Sequence, residues 1–497
     1  MVNSNLARAV DPAPIMEIEI DDQPIKWCSV SLSDVVSRGK RLEASVFDVE
    51  AKQARETVAN CRYGTVPLAG DTGIIETAYY PGWIQRSRLK RIYCEKPYGE
   101  GFYLPSQMTS VYPVPDKNIL RLADCDMDEL RLKENTLLLT RSGTIGNVAY
   151  VSKTLAGLVF SDDVIRISFK NAFDLGYTYA FLKSKIGNII LQTNQYGSVI
   201  THIEPGHLEN VQIPDAPIEL RKQIHDTVSQ SYALRDESNE LIDKANALLK
   251  EALCLPDVSE FDVDYYKKSA PVDTFSVKLS NMAGRLDASY HVPIVDAITA
   301  HLQKYAEEVT SVGDKRISKE VILPMRFKRV YVDEGHGRVL FGGKQLYELD
   351  PSGKKYLSVA KHEKLFKKLE VSQNTTLITR SGTIGKVALV PKHWEHWIPS
   401  DHIIRVVPAN NEIAGYLNIF LASDYGYQLI TRFTYGSVVD EVDDTHVSNI
   451  PVPLLKDKAV QKQINDLALE ASQKRYEAYT LEQQALRTMD EEVIYAK

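Results

Sequence analysis

The sequence predicts an α+β chain made of two tandem β-rich α/β units. Each unit is followed by a long helix, and the two helices pair as an antiparallel coiled coil about a pseudo-two-fold axis. Three observations predict this. The phrase Thr-Arg-Ser-Gly-Thr-Ile-Gly occurs at 140–146 and again at 379–385, with Arg141 and Arg380 standing 239 positions apart. The same offset carries Ser161-Asp162 to Ser400-Asp401, Arg166 to Arg405, Tyr196-Gly197-Ser198-Val199 to Tyr435-Gly436-Ser437-Val438, His207 to His446 and Pro214 to Pro453. One shared heptapeptide could be coincidence, but a register held across so many markers identifies a duplicated unit. Finally, Ile218 to Leu253 contains no proline or glycine and is rich in Glu, Lys, Gln, Ala and Leu, as a long helix requires. A related run ends the second copy.

The repeat extends upstream with small shifts of register. Ser29–Ser33 matches Ser276–Ser280, Arg41–Ser45 matches Arg285–Ser289, and Arg88-Leu89-Lys90-Arg91-Ile92-Tyr93 matches Arg326-Phe327-Lys328-Arg329-Val330-Tyr331. Downstream, Lys222-Gln223-Ile224 matches Lys462-Gln463-Ile464. The expected organisation is a polar lead-in at 1–25, a first unit at 26–216 and its helix at 217–255. A second unit follows at 256–455, and its helix at 456–497. Each unit is large enough for its own core, which separates this duplication from a solenoid. Within the first unit, Thr136–Thr140, Asn147–Val151 and Val164–Ser168 read as strands, with the glycine-bearing phrase as the loop between the first two. Tyr177–Leu191 reads as one helix. A heptad ladder runs through Ile224, Thr227, Ser231, Leu234, Ser238, Leu241, Ala245, Leu248 and Ala252, and its counterpart through Ile464, Leu467, Ala471, Lys474, Ala478, Leu481, Ala485 and Thr488. Such small-residue seams admit close pairing with a partner helix, and the other copy is the simplest partner. The pair is expected to form a rod of about 50 Å that holds the two units apart.

Composition excludes several classes. The 497 residues are 44% hydrophobic and 25% charged, ordinary for a globular chain. The net charge of −7 announces no nucleic-acid partner, although total charge conceals local basic faces. Cys28, Cys61, Cys94, Cys125 and Cys254 never approach metal or redox spacing, which points to a reducing, cytoplasmic setting. There is no apolar leader and no apolar run long enough to span a bilayer, so no membrane partner is expected.

Catalytic motifs are absent. The Gly143–Gly146 and Gly382–Gly385 loops have strand-like flanks, unlike the loop of a KH domain, and neither completes a phosphate-binding P-loop. The run His393-Trp394-Glu395-His396 lacks metalloprotease spacing and has no counterpart in the first copy; it reads as a surface loop. Asp162-Asp163 becomes Asp401-His402, so the shared element is one carboxylate, expected to orient a turn or the loop arginines. Binding chemistry is richer. Arg86, Arg88, Lys90, Arg91 and Tyr93 set positive charge beside an aromatic, and Arg326, Lys328, Arg329 and Tyr331 repeat the pattern. Such groups suit phosphates and base edges. Arg141, Ser142 and Thr144, with Arg380, Ser381 and Thr383, offer a bidentate donor and hydroxyls. Tyr196 and Ser198, with Tyr435 and Ser437, add similar loop chemistry.

With its paired R-S-G-T-I-G loops, Y-G-S-V tracts and Ile213-Pro214 and Ile450-Pro451-Val452-Pro453 endings before each helix, the chain resembles the specificity subunits of type I restriction-modification systems, from about Trp27 onward. The resemblance implies a non-catalytic DNA-reading subunit. Each recognition domain would read half of a bipartite site in double-stranded DNA, and the helices would set the spacer between halves. It further implies two methyltransferase subunits as partners, carrying S-adenosylmethionine that this chain does not itself bind. A motor-nuclease subunit can join such assemblies. The stretches 46–87 and 290–325, where the copies differ most, are where different half-sites would be encoded.

Overall fold

The computed structural model describes residues 30–37, 40, 44–82, 91–94, 98–120, 127–193, 201–261, 275–282, 284–436 and 439–496. The lead-in lies outside them. The two copies repeat one another strand for strand. In the first, Ile75–Tyr79, Val164–Phe169, Leu137–Thr140 and Val148–Tyr150 form an antiparallel sheet in that order. In the second, Ser318–Ile322, Ile403–Pro408, Thr376–Thr379 and Val387–Leu389 do the same. A smaller sheet orders Tyr93–Cys94, Lys117–Leu120, Gly99–Tyr103 and Val159–Phe160; Tyr331–Val332, Lys355–Ser358, Gly337–Phe341 and Ile398–Pro399 reproduce it, down to the parallel last pair. A two-stranded ribbon joins the start and end of each copy, Thr65–Pro67 with Gln212–Pro214 and Glu308–Ser311 with Pro451–Leu454.

The expected helix at 177–191 is two helices, Phe173–Lys183 and Lys185–Gln192. Ser184 breaks it: its backbone is extended and its hydroxyl accepts from Gly187 N–H, capping the second helix. Ser423 and Gly426 make the same break in the other copy.

The long helices span Ile218–Ala252 and Lys458–Thr488, the second extended by a π turn at Met489–Ile494. They run antiparallel, and each ends in the other copy's core. Ile224, Val228 and Tyr232 share the first core with Ala485, Met489, Val493 and Ile494. Ala245, Leu249 and Leu253 share the second with Ile464, Leu467 and Ala468. The ladder is correct at Ile224, Ser231, Ser238 and Ala245 and at Ile464, Ala471, Ala478 and Ala485. Most intervening rungs are shifted by one residue: Val228, Arg235, Leu249 and Glu482 are buried rather than Thr227, Leu234, Leu248 and Leu481, while the expected Leu467 is buried together with Ala468. Each helix packs on a domain as well as on its partner, which widens its apolar stripe beyond a coiled-coil seam. Close approach fixes each helix to its own copy. A Cβ on Gly176 would lie 2.7 Å from His225 Cα, and one on Gly415 would lie 2.3 Å from the Asn465 carbonyl oxygen. Gly176 N–H donates to His225 Nδ1, and Gly415 N–H to Asn465 Oδ1.

At the helix crossing, Glu482 is 1% exposed and accepts from Lys183 at 2.8 Å, from Arg235 at 2.9 Å and from the Tyr179 hydroxyl. Burial alone would raise its pKa, but Lys183 and Arg235 outweigh burial and hold it well below the usual carboxylate range. The positions related by the pseudo-dyad are Asn418, Ala422, Arg475 and Ile242, and they line a cavity of about 140 Å³. The two units are not held wholly apart by the rod. Ser110 pairs with Glu348, Val111 N–H donates to the Tyr347 carbonyl, and Asn239 Nδ2 donates to the Val111 carbonyl. The loops following Gly99–Tyr103 and Gly337–Phe341 thus meet beside the middle of the rod. The run at 393–396 is not simply a surface loop either. Trp394 is buried with Phe341 and Leu346, and His393 stacks on Tyr479 of the second long helix at 4.0 Å, its pKa pushed down to about 4 by burial. Glu395 and His396 are exposed.

Glu482→Ala leaves Arg235 and Lys183 without their carboxylate and is expected to cost about 3–5 kcal/mol of stability, read by denaturant unfolding. Because the folded pKa of Glu482 is depressed, its contribution is intact above the unfolded value of about 4.3 and falls away as pH drops below it. The wild-type chain should therefore lose more stability between pH 5 and 3 than Glu482→Ala does.

Candidate nucleic-acid interface

The repeated phrase forms the turn between the two strands Leu137–Thr140 and Val148–Tyr150, and likewise between Thr376–Thr379 and Val387–Leu389. Its residues explain its shape. The Thr140 hydroxyl donates to the Thr144 carbonyl at 2.7 Å, and the Thr379 hydroxyl to the Thr383 carbonyl at 2.6 Å. Gly143 and Gly382 adopt φ of 80° and 75°, a left-handed conformation that glycine takes without strain. Ile145 and Ile384 anchor the loop in the two cores. This leaves Gly143-Thr144 and Gly382-Thr383 exposed at the tip, with Ser142 and Ser381 half-buried beside them.

Arg141 and Arg380 point inward. Arg141 pairs with Glu204 at 2.9 Å and with Asp163 at 3.4 Å, its guanidinium 4.1 Å from the Tyr80 ring centre. Burial works against its charge, yet Glu204 and its neighbours raise its pKa above the ordinary value. Arg380 pairs with Glu441 at 2.5 Å and donates to the Val442 carbonyl at 3.1 Å. The acid is not inherited: Glu204 aligns with Asp443, whereas Glu441 aligns with His202. In each copy the carboxylates also hold the basic tract. Arg91 pairs with Asp162 and, at 3.4 Å, with Asp163. Arg329 pairs with Asp401, and Arg326 reaches Asp401 at 3.4 Å and Glu441 at 3.7 Å. The shared aspartate therefore orients an arginine, as expected, but it is the arginine of the tract rather than of the loop.

The tract and the loop thus converge on one carboxylate cluster per copy. Outward from it, Arg326 is 73% exposed along its side chain, with Lys328 exposed nearby. Tyr93 and Tyr331 are exposed, each beneath a lysine, Lys117 at 4.6 Å and Lys355 at 5.5 Å. Tyr435 is exposed and its backbone pairs with Glu441. Arg86, Arg88, Lys90, Tyr196, Ser198 and Ser437 lie outside the described residues. Among the described residues there is no cluster of His, Cys, Asp or Glu fit for a metal, and no helix long and apolar enough to cross a membrane.

Two buried arginines were not singled out for a role by sequence reasoning, although their recurrence in register was visible. Arg166 donates to the carbonyls of Leu130, Phe160 and Val164, and Arg405 to those of Lys368 and Leu369. Burial lowers both pKa values to about 10. They tie the small sheet and its helix to the larger sheet.

The two copies thus present equivalent, dyad-related surfaces that bring basic groups to hairpin loops. The chain belongs to the type I restriction-modification DNA specificity family: the model of the type I restriction modification DNA specificity domain matches residues 100–247 and again 344–468, more than half of the sequence. It is thus a DNA specificity subunit, a non-catalytic component of a restriction-modification system. No curated protein sequence matches it. Among solved structures it is similar to the type I restriction-modification S subunit of M. genitalium, with 14% identity, 85% of this chain and 98% of that one covered, and a TM-score of 0.31. The HsdS subunit of Thermoanaerobacter tengcongensis gives 12% identity, 85% and 98% coverage, and a TM-score of 0.26. A chain from a structure of type I system assembly and conformational transition gives 13% identity, 83% and 94% coverage, and a TM-score of 0.25. Membership rests on the family match.

Arg380→Ala should destabilise the chain by about 1–3 kcal/mol, because Glu441 and the Val442 carbonyl lose their donor. Arg326→Ala should leave stability within about 0.5 kcal/mol while lowering the salt slope of DNA binding by about one. Thermal unfolding and titrations at several salt concentrations separate the two.

Proposed function

We propose that the chain reads a bipartite, asymmetric site in double-stranded DNA. Residues 26–216 and 256–455 act as the two recognition domains, and 217–255 and 456–497 as the helices that fix the spacer and dock two methyltransferase subunits. Those subunits carry S-adenosylmethionine and perform base methylation; a motor-nuclease subunit joins the assembly for cleavage. The observation that carries this reading is the antiparallel helix pair. It relates the two carboxylate-organised basic surfaces by a pseudo-two-fold axis, and a two-fold across a duplex presents equivalent surfaces to opposite strands. In this reading Thr144 and Thr383 at the loop tips, Ser142 and Ser381 beside them, and Arg326 and Lys328 contact phosphates, while Tyr93 and Tyr331, each with its lysine, contact sugars or base edges. Arg91, Arg141, Arg329 and Arg380 act mainly by holding the loops and tracts in position.

The test is selection of duplexes from a random pool by the full chain assembled with the methyltransferase subunits of its own system, followed by mapping of methylated bases. The expected result is two short sequence blocks at one fixed separation, with methylation in both blocks. Enrichment of a single continuous block, or of no sequence, would overturn the reading.

A further inference from the structure

The helix Val359–Leu369 turns a row of lysines outward. His362, Phe366 and Leu369 are buried, while Lys361, Lys364, Lys367 and Lys368 are exposed. At about 100° per residue the four lysines fall within an arc of about 120° opposite the buried seam. Glu363 lies off that arc. The spacing from Lys361 to Lys368 covers about 10 Å of helix axis, close to three base-pair rises of about 3.4 Å. Among the described residues none of the four has an ion-pair partner.

The helix is fastened to the basic tract. Val330 N–H donates to His362 Nε2 at 3.1 Å, and the Phe327 ring meets the His362 ring at 5.4 Å. Arg405 holds the last carbonyls of the helix, those of Lys368 and Leu369. The lysine arc therefore adjoins the segment bearing Arg326 and Lys328. The first copy does not share the feature. In register with 359–369, residues 120–130 read Leu-Arg-Leu-Ala-Asp-Cys-Asp-Met-Asp-Glu-Leu, with one arginine against four acids, where the second copy has four lysines against one glutamate. Arg166 holds the Leu130 carbonyl as Arg405 holds that of Leu369, so the two stretches end at equivalent points of the fold. A lysine arc this long, without internal acids, matches the regular negative charge of a duplex backbone. The acidic counterpart would repel one.

We infer that the Val359–Leu369 helix is a phosphate clamp peculiar to the second copy, which grips the DNA backbone flanking that copy's half-site, while the first copy has no such grip. This rests on the DNA-reading function proposed above and assigns its electrostatic affinity unequally between the two halves.

The test uses the full chain assembled with its methyltransferase subunits and the duplex that this assembly selects. Binding is measured across salt concentrations for wild type, for Lys361→Gln/Lys364→Gln/Lys368→Gln, and for the same three positions changed to Arg. Glutamine keeps helix propensity, and circular dichroism with co-purification reports folding and assembly. The glutamine variant should lower the slope of log K against log salt by about two to three, and the arginine variant should restore it. Hydroxyl-radical protection should be lost on the flank of one half-site only. An unchanged slope in a folded glutamine variant overturns the inference, and so does protection lost at both half-sites. Lost co-purification at an unchanged slope also overturns it, giving the lysines to an acidic protein partner. Failure of wild type itself to select any duplex would instead remove the DNA-reading function.

Discussion

The structure depends on two long helices that cross and close each other's domains. Neither copy completes its core alone: the first borrows Met489, Val493 and Ile494 from the end of the chain, and the second borrows Leu249 and Leu253 from the first helix. Exchange of this kind converts two tandem units into one rigid body, because sliding the helices by a turn would pull apolar side chains out of both cores at once. The seam itself is built from Ser231, Ser238, Ala471 and Ala478, and the Ser231 hydroxyl donates to the Ala478 carbonyl at 2.7 Å. Small residues bring the backbones close, and the borrowed core residues set the register.

The dyad is imperfect in a way that distinguishes the two ends. Arg235 and Arg475 occupy equivalent positions at the crossing, yet Arg235 meets the Glu482 carboxylate whereas Arg475 donates to the neutral Ser238 and Asn239 side chains. Burial accordingly lowers the pKa of Arg475 to about 10, while Glu482 and neighbouring tyrosines raise that of Arg235. Where the ionic network stands on one side, the cavity lined by Ile242, Asn418 and Arg475 stands on the other. A buried ion pair contributes little net stability against a well-packed apolar alternative, but it penalises misregistration strongly. The same inequality runs through the surface, where Glu204 in one copy and Glu441 in the other hold the loop arginine from different positions.

Much of the architecture was legible because duplication doubles every signal. The offset shared by the Thr-Arg-Ser-Gly-Thr-Ile-Gly loops, Arg166 and Arg405, and Pro214 and Pro453 established the copies before any element was assigned. The break at Ser184 escaped the reading because an apolar run cannot reveal a capping serine, although Gly187 three residues on was a visible cue. The heptad rungs shifted because Val228 and Tyr232 answer to a domain core as well as to a helix. At the site, Arg141 and Arg380 look like free donors in sequence, and only tertiary folding brings Glu204 and Glu441 to them. Part of the divergence at 46–87 and 290–325 lies in the helices Val49–Ala59 and Pro293–Tyr305, which bury Ala54, Val58, Ile298 and Leu302, so it reflects packing as well as surface.

Hydrogen exchange by mass spectrometry on a chain ending at Thr488 tests the crossed helices most directly. Removing Met489 onward should lose amide protection in the first copy, at 173–182 and 224–232, far away in sequence, while 413–430 in the second copy keeps its protection. Loss confined to the second copy, with the first untouched, would contradict the exchange of helix ends on which the relative geometry of the two copies rests.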